Sequence, residues 1–282
     1  MEKIVFCFFE GDKMESNIAN ELNCKFNPIV LIKTDKAPED AIGPKSARGG
    51  CIMAFIAKVI TSGKTAVFTK ETCSCNGGKV ALGFGAGFET PEAIENHCCF
   101  LACGFDSAKD KEKYGEFLSN LPKPTQEMFT VGERIFTDYE TAKENITKHR
   151  PIYDNEEKYV VFKPLEDLEE GEIPSSVIFT VNPLELSALI HLDGSWRSDY
   201  AYTITAQSAA CQDMGNMVFK QAESDNPRPV LGLSDFAGRK HIRKVIPDEY
   251  LTYALTWDLF LKLEEISKKS IFQTPVWEKF KK

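Results

Sequence analysis

An α/β fold, or an α+β one, with a mixed sheet and flanking helices is what this 282-residue sequence predicts. Three observations carry that expectation. Short β-branched runs at 27–33 (NPIVLIK), 158–163 (KYVVFK) and 176–181 (SVIFTV) read as buried strands. Between them lie segments whose apolar residues recur every three to four positions, the period of a helix packed on one face. The chain is 43% hydrophobic and 27% charged, enough to build a core without disulfide or metal staples.

Taken in order, residues 4–9 are a short apolar run closed by Glu10, Gly11 and Asp12, too brief for a secretory leader. Pro28 introduces the first good strand. Pro38 and Gly43-Pro44 mark a loop, and Gly49-Gly50 then lead into Cys51 and a helix over 51–61. Ser62-Gly63-Lys64 stops that helix, and 65–69 reads as a strand. Residues 71–79 (ETCSCNGGK) read as a loop on their turn chemistry, with a short helix over 80–84. Thr90 as cap and Pro91 in the first turn begin a helix carrying His97, Cys98, Cys99 and Cys103. Residues 109–119 and 137–149 are two further helices.

In the second half, Asn182-Pro183 cap a helix that ends at Asp193-Gly194. Residues 200–204 and 230–233 read as strands. Ala209-Ala210 lead into Cys211 and a helix to 222, much as Gly49-Gly50 lead into Cys51. The longest helix is expected over 248–268, with Tyr250, Leu251, Ala254, Leu255, Leu259 and Leu263 on its apolar side. Gly78 follows Cys51 at the same distance as Gly238 follows Cys211. The expected organisation is an N-terminal segment, 1–25, and one globular domain, 25–282, with room for two pseudo-repeated halves meeting near residue 150.

Several function classes are disfavoured. A net charge of −8 lacks the basic footprint of a nucleic-acid binder. No stretch reaches the roughly 20 apolar residues of a membrane span. Nine cysteines, an odd number without an export signal, point to reduced thiols in the cytoplasm.

The cysteines are the candidate chemistry. A thiol at a helix start meets unpaired N–H groups and the positive end of the helix dipole, both of which favour thiolate, the nucleophile and metal ligand. Cys51, with Arg48 nearby, and Cys211 fit that description, although either also fits a small residue buried where a helix enters the core. Cys73-x-Cys75 in a Gly-rich loop has ligand-like spacing, but lacks the second pair of a zinc ribbon. Cys99 and Cys103 share a helical face whose surroundings are those of a core, so packing is the favoured reading. Gly83-Phe84-Gly85-Ala86-Gly87 lacks the frame of a phosphate loop.

Read together, Asn27 to Lys33, Gly50-Cys51, Thr72-Cys-Ser-Cys-Asn-Gly-Gly-Lys-Val-Ala-Leu-Gly83, Val177-Ile-Phe-Thr-Val-Asn-Pro183, Ser208-Ala-Ala-Cys211, Pro229-Val-Leu-Gly-Leu-Ser234, Gly238-Arg239 and Ile246-Pro247 resemble the domain-of-unknown-function family numbered 169, over roughly residues 25 to 265. The resemblance implies a recurring cysteine set at Cys51, Cys75 and Cys211, suited to convergence on one centre. A further cysteine that some members carry near residue 234 is replaced here by Ser234-Asp235. Cys73 is then a candidate fourth ligand, or the fourth position is open.

Two functional expectations follow. The first is a cysteine-held metal or iron–sulfur cluster, with zinc as the alternative ion, in a redox or sulfur-related role and with a redox protein or small molecule as partner. The second is a metal-free protein with a reactive thiol that binds a small anion through Arg48, Gly77, Gly78 and Lys79.

Overall fold

The computed structural model describes residues 9–10, 13–45, 50–88, 90–200, 203–205 and 208–281. Of the run at 4–9, only Phe9 falls among them. Strands β1 (Phe9–Glu10) and β2 (Lys13–Met14) form a small antiparallel ribbon. The remaining strands are β3 (Ile29–Thr34), β4 (Ala66–Phe68), β5 (Tyr159–Pro164), β6 (Ser176–Val181), β7 (Ile204–Thr205), β8 (Val230–Gly232) and β9 (Leu251–Leu255). They make one sheet in the order β4-β5-β3-β6-β9-β8-β7. Every pairing is antiparallel except β7 with β8, so the sheet is mixed and the class is α/β.

The chain divides into two compact units, 1–85 with 153–282, and 86–152. The sheet lies in the first. Its side chains alternate between two cores, as strand geometry requires. Ile29 and Leu31 of β3, Ile178 of β6 and Ala254 of β9 face one core. Helices Met53–Ser62, Asn76–Leu82, Ala210–Met214, Asn216–Ala222 and Phe236–Ile242 cover it. Val30, Ile32, Phe179, Val181, Tyr253 and Leu255 face the other, under Asn17–Leu22, Pro183–Gly194 and Trp257–Ser267. Cys51, Cys73, Cys75 and Cys211 all belong to the first layer.

Residues 13–25 are integral to this unit. Met14, Ile18 and Leu22 are buried in the second core. Ser16 Oγ donates to Glu264 Oε1 at 2.5 Å, and the Asn17 amide donates to Glu264 Oε2 at 2.9 Å. The expected cap at Asn182 is a full capping box. Its Oδ1 accepts from the Leu184 and Glu185 amides at 2.9 and 3.1 Å, and Glu185 Oε2 accepts from the Asn182 amide at 2.9 Å. Asn182→Ala is expected to cost about 1 kcal/mol. A urea midpoint unchanged from wild type would show that the box contributes nothing.

Three helix expectations are corrected. Residues 248–268 are not one helix: 251–255 is the interior strand β9, and Thr256 starts a new helix by accepting from the Leu259 amide at 3.3 Å. A strand buried on both faces has no alternation to separate it from a buried helix. The helix expected over 211–222 breaks at Gly215 into two. Residues 71–79 are not all loop, because a helix begins at Asn76 with Cys75 as its cap.

The second unit is helical: Pro91–Leu101, Lys111–Ser119, Lys123–Val131 and Tyr139–Glu144 enclose their own aromatic core. Thr90 and Pro91 begin its first helix as expected, Thr90 Oγ1 accepting from the Ala93 amide at 3.1 Å. That helix ends at Leu101, so Cys103 lies beyond it and shares no helical face with Cys99. Cys98 and Cys99 are buried, and burial pushes both thiols up to about 11. His97 lies between Phe88 and Phe100, with ring centroids at 4.6 and 6.0 Å. These residues are packing, as their surroundings predict.

Candidate thiol site

The site is assembled from four chain segments that each start a helix. Cys51 stands two residues before Met53–Ser62, and its carbonyl accepts from the Ala54 amide at 3.1 Å. Cys75 is the N-cap of Asn76–Leu82: its Sγ accepts from the Gly78 amide at 3.4 Å. Cys211 lies in the first turn of Ala210–Met214. Asp235 is the N-cap of Phe236–Ile242, its carboxylate accepting from the Ala237 and Gly238 amides at 2.8 and 3.1 Å. Its Oδ2 also accepts from the Ala210 amide at 3.2 Å, so one carboxylate caps two helices and ties Cys211 to the second.

Two close approaches lock these starts together. A Cβ on Gly215 would lie 1.9 Å from the Ala81 carbonyl oxygen, so the helices carrying Cys75 and Cys211 cross backbone to backbone. A Cβ on Gly238 would lie 2.9 Å from that of Ala210. Only residues without a Cβ permit either contact.

The electrostatics follow from that convergence. Cys211 is buried, and its thiol is raised well above the ordinary range. Burial is the main cause, followed by the charges of Cys75, Cys51, Asp235 and Asp213. Cys51 and Cys75 are therefore within range of its charge. Cys73 is pushed up to about 12 by burial, then by Cys75 and Cys51, while Lys79 acts in the opposite sense. Its Sγ points to the Cys75 carbonyl at 3.8 Å. Asp213 is fully buried beside them; Ser208 Oγ donates to Oδ1, yet burial raises the carboxyl to about 7.

The structure thus puts Cys51, Cys73, Cys75 and Cys211 on one side of the sheet, with Cys51 and Cys75 in charge range of both Cys73 and Cys211, and Lys79 in range of Cys73. Gly77 and Gly78 are in the first turn of a helix, not in a loop. Arg48 lies outside the described residues. Asp213 and Asp235 are site residues that sequence reasoning passed over. The signal for Asp235 was its place ahead of Ala237-Gly238, where a helix-capping Asp is ordinary chemistry. Among the described residues, no three His, Cys, Asp or Glu side chains are placed so as to hold a metal ion as they stand. No disulfide joins any of the eight described cysteines, and no described helix is long and apolar enough to cross a membrane.

Fold and site together define an α/β protein with clustered thiols on one face of its sheet. The chain belongs to the domain-of-unknown-function family numbered 169, described as uncharacterised ArCR, whose model matches residues 17–266. No curated protein and no solved structure matches it significantly.

Proposed function

We propose that this protein holds a metal ion or an iron–sulfur cluster through Cys51, Cys75 and Cys211, in a redox or sulfur-related role in the reducing cytoplasm. The observation that supports this most is that the buried Cys211 feels the charges of two thiols from separate helix starts, Cys75 and Cys51, together with those of Asp235 and Asp213. Thiolates so placed repel one another, and a cation resolves that repulsion. The donor set is soft, which suits zinc or iron–sulfur chemistry. A bound group would supply Lewis-acid or electron-transfer chemistry there. The chain itself contributes shelter from water around Cys211 and Cys73.

The anion-binding reading has less support. The Gly78 amide already donates to Cys75 Sγ, and Asp235 takes the amides of Ala210, Ala237 and Gly238. The helix starts that would cradle an anion are largely committed to acceptors of the chain itself.

Anaerobic purification with metal and sulfide analysis tests the proposal. The wild type is expected to carry metal, and Cys51→Ser, Cys75→Ser and Cys211→Ser each to lower its affinity at least about tenfold, with Cys24→Ser as the unaffected control. A colourless, metal-free protein whose three thiols titrate freely would sink the idea.

A further inference from the structure

We infer that the outward face of the helix Phe236–Ile242, with the turn that follows it to Val245, is the docking surface for a small acidic electron-carrier protein. This rests on the redox reading above and names the kind of partner that reading calls for.

Charge is the first observation. Residues 239–244 read Arg-Lys-His-Ile-Arg-Lys, four Lys or Arg in six positions of a chain whose net charge is −8. Two of the four are held by the chain itself. Arg239 donates to the Asp248 and Tyr250 carbonyls, both at 2.9 Å, and Arg243 donates to Asp248 Oδ2 at 2.9 Å. Lys240, His241 and Lys244 are exposed, and none of them forms an ion pair with a described residue. Basic side chains in a last helical turn suit the dipole of their own helix. That accounts for Lys240 and His241 but not for Lys244, which lies past the last turn, nor for the aromatic ring at the opposite end.

That ring is the second observation. Phe236 is 86% exposed, although Phe is normally an interior residue. It stands four residues before Lys240, so ring and ammonium share one side of the helix. Val245, on the following turn, is also exposed. An apolar anchor with unpaired cations around it has the composition of an interface: an aromatic centre and a charged rim.

Placement is the third. The inward residues of this helix, Gly238 and Ile242, are buried. The helix packs on Ala210–Met214, which carries Cys211, and on Met53–Ser62, which follows Cys51. Asp235, just before Phe236, accepts from the amide of Ala210, the residue next to Cys211. A carrier docked on the outer side is thus separated from those two helices by one helix, about 10 Å across.

The scale of the face selects the partner. Screening at physiological salt acts over about 8 Å, so a compact acidic patch feels these lysines and little of the acidic remainder. A nucleic-acid duplex or an anionic membrane extends beyond the face and meets that remainder. A surface one short helix long suits a transient encounter of less than about 1,200 Å², the range of electron-carrier complexes.

The test titrates the anaerobically purified full-length protein with a plant-type ferredoxin at about 50 and about 300 mM salt. The wild type is expected to bind, and at least about tenfold more weakly at the higher salt. The double variant Lys240→Glu/Lys244→Glu is expected to lose at least about tenfold in affinity at low salt. Phe236→Ala is expected to lose about tenfold at both salts. Lys36→Glu/Lys269→Glu makes the same change of net charge at exposed lysines elsewhere, and is expected to stay within about threefold of wild type. Thermal melts and metal content are expected to match wild type in every variant. Absence of binding by the wild type, or equal losses in the two double variants, overturns the docking surface and leaves the thiol site untouched. Binding of phosphatidylserine vesicles or a DNA duplex through Lys240 and Lys244, without binding of the ferredoxin, overturns it in favour of a polyanion. A wild type that binds the ferredoxin through these residues but carries no metal overturns the redox reading and leaves the face as a site for an acidic protein.

Discussion

Gly215→Ala is expected to destabilise the sheet unit by more than about 3 kcal/mol. The new methyl group would lie 1.9 Å from the Ala81 carbonyl oxygen and 2.9 Å from its carbon. Both obstacles are backbone, so no rotamer change relieves the overlap, and the two crossing helices must separate. Because those helices carry Cys75 and Cys211, separation also takes the thiols apart. Metal uptake should fall with stability. Urea denaturation checks the first effect and cobalt titration the second. Gly50→Ala is the control, since nothing lies within 4 Å of its Cβ position, and it is expected to stay within about 0.5 kcal/mol of wild type. Equal midpoints for Gly215→Ala and wild type would show that the crossing is looser than described.

The second large effect is in pH. Asp213 is fully buried, and burial raises its carboxyl from the ordinary 3.8 to about 7. Between those values the native state holds a proton that the unfolded chain has released. Stability therefore falls as pH rises through this window and levels off above pH 7. The full change from this one group is on the order of 4 kcal/mol. Asp213→Asn removes the titration, so its stability should be flatter between pH 4 and 7 than that of wild type. Urea unfolding at several pH values measures both slopes, and parallel curves would show that Asp213 is ionised throughout that window in the folded protein, as it is in the unfolded chain.

How much of this was legible in the sequence depended on whether the signal was local. Strands with β-branched runs, β3, β5 and β6, stood out because their burial needs no partner to be recognised. Caps were equally clear at Asn182 and Thr90, where side-chain chemistry and Pro at the next position act within one turn. The failures were tertiary. Leu251 to Leu255 has the same apolar density as the helix after it, and only its place between β6 and β8 makes it a strand. The break at Gly215 exists because Ala81, far away in sequence, needs the space. At the site, the cysteines were found by their helix-start positions. Asp235 was not, because a capping aspartate looks the same whether or not a thiol lies behind it. Its partnership with Ala210 is visible only in three dimensions.

The excursion through residues 86–152 leaves and re-enters the sheet unit at one point. The Gly85 amide donates to the Tyr153 carbonyl at 2.8 Å, the Asn155 amide to the Gly83 carbonyl at 2.7 Å, and Phe84 bridges Asp154 in antiparallel register. To the sheet, a whole helical unit is thus equivalent to the turn of a hairpin. Loop-closure entropy grows only logarithmically with length, about 0.6 kcal/mol for each doubling. A stem of this kind lets one half of the chain carry a large addition at small thermodynamic cost, while β4, β5 and the Cys75 helix keep their places on either side of it.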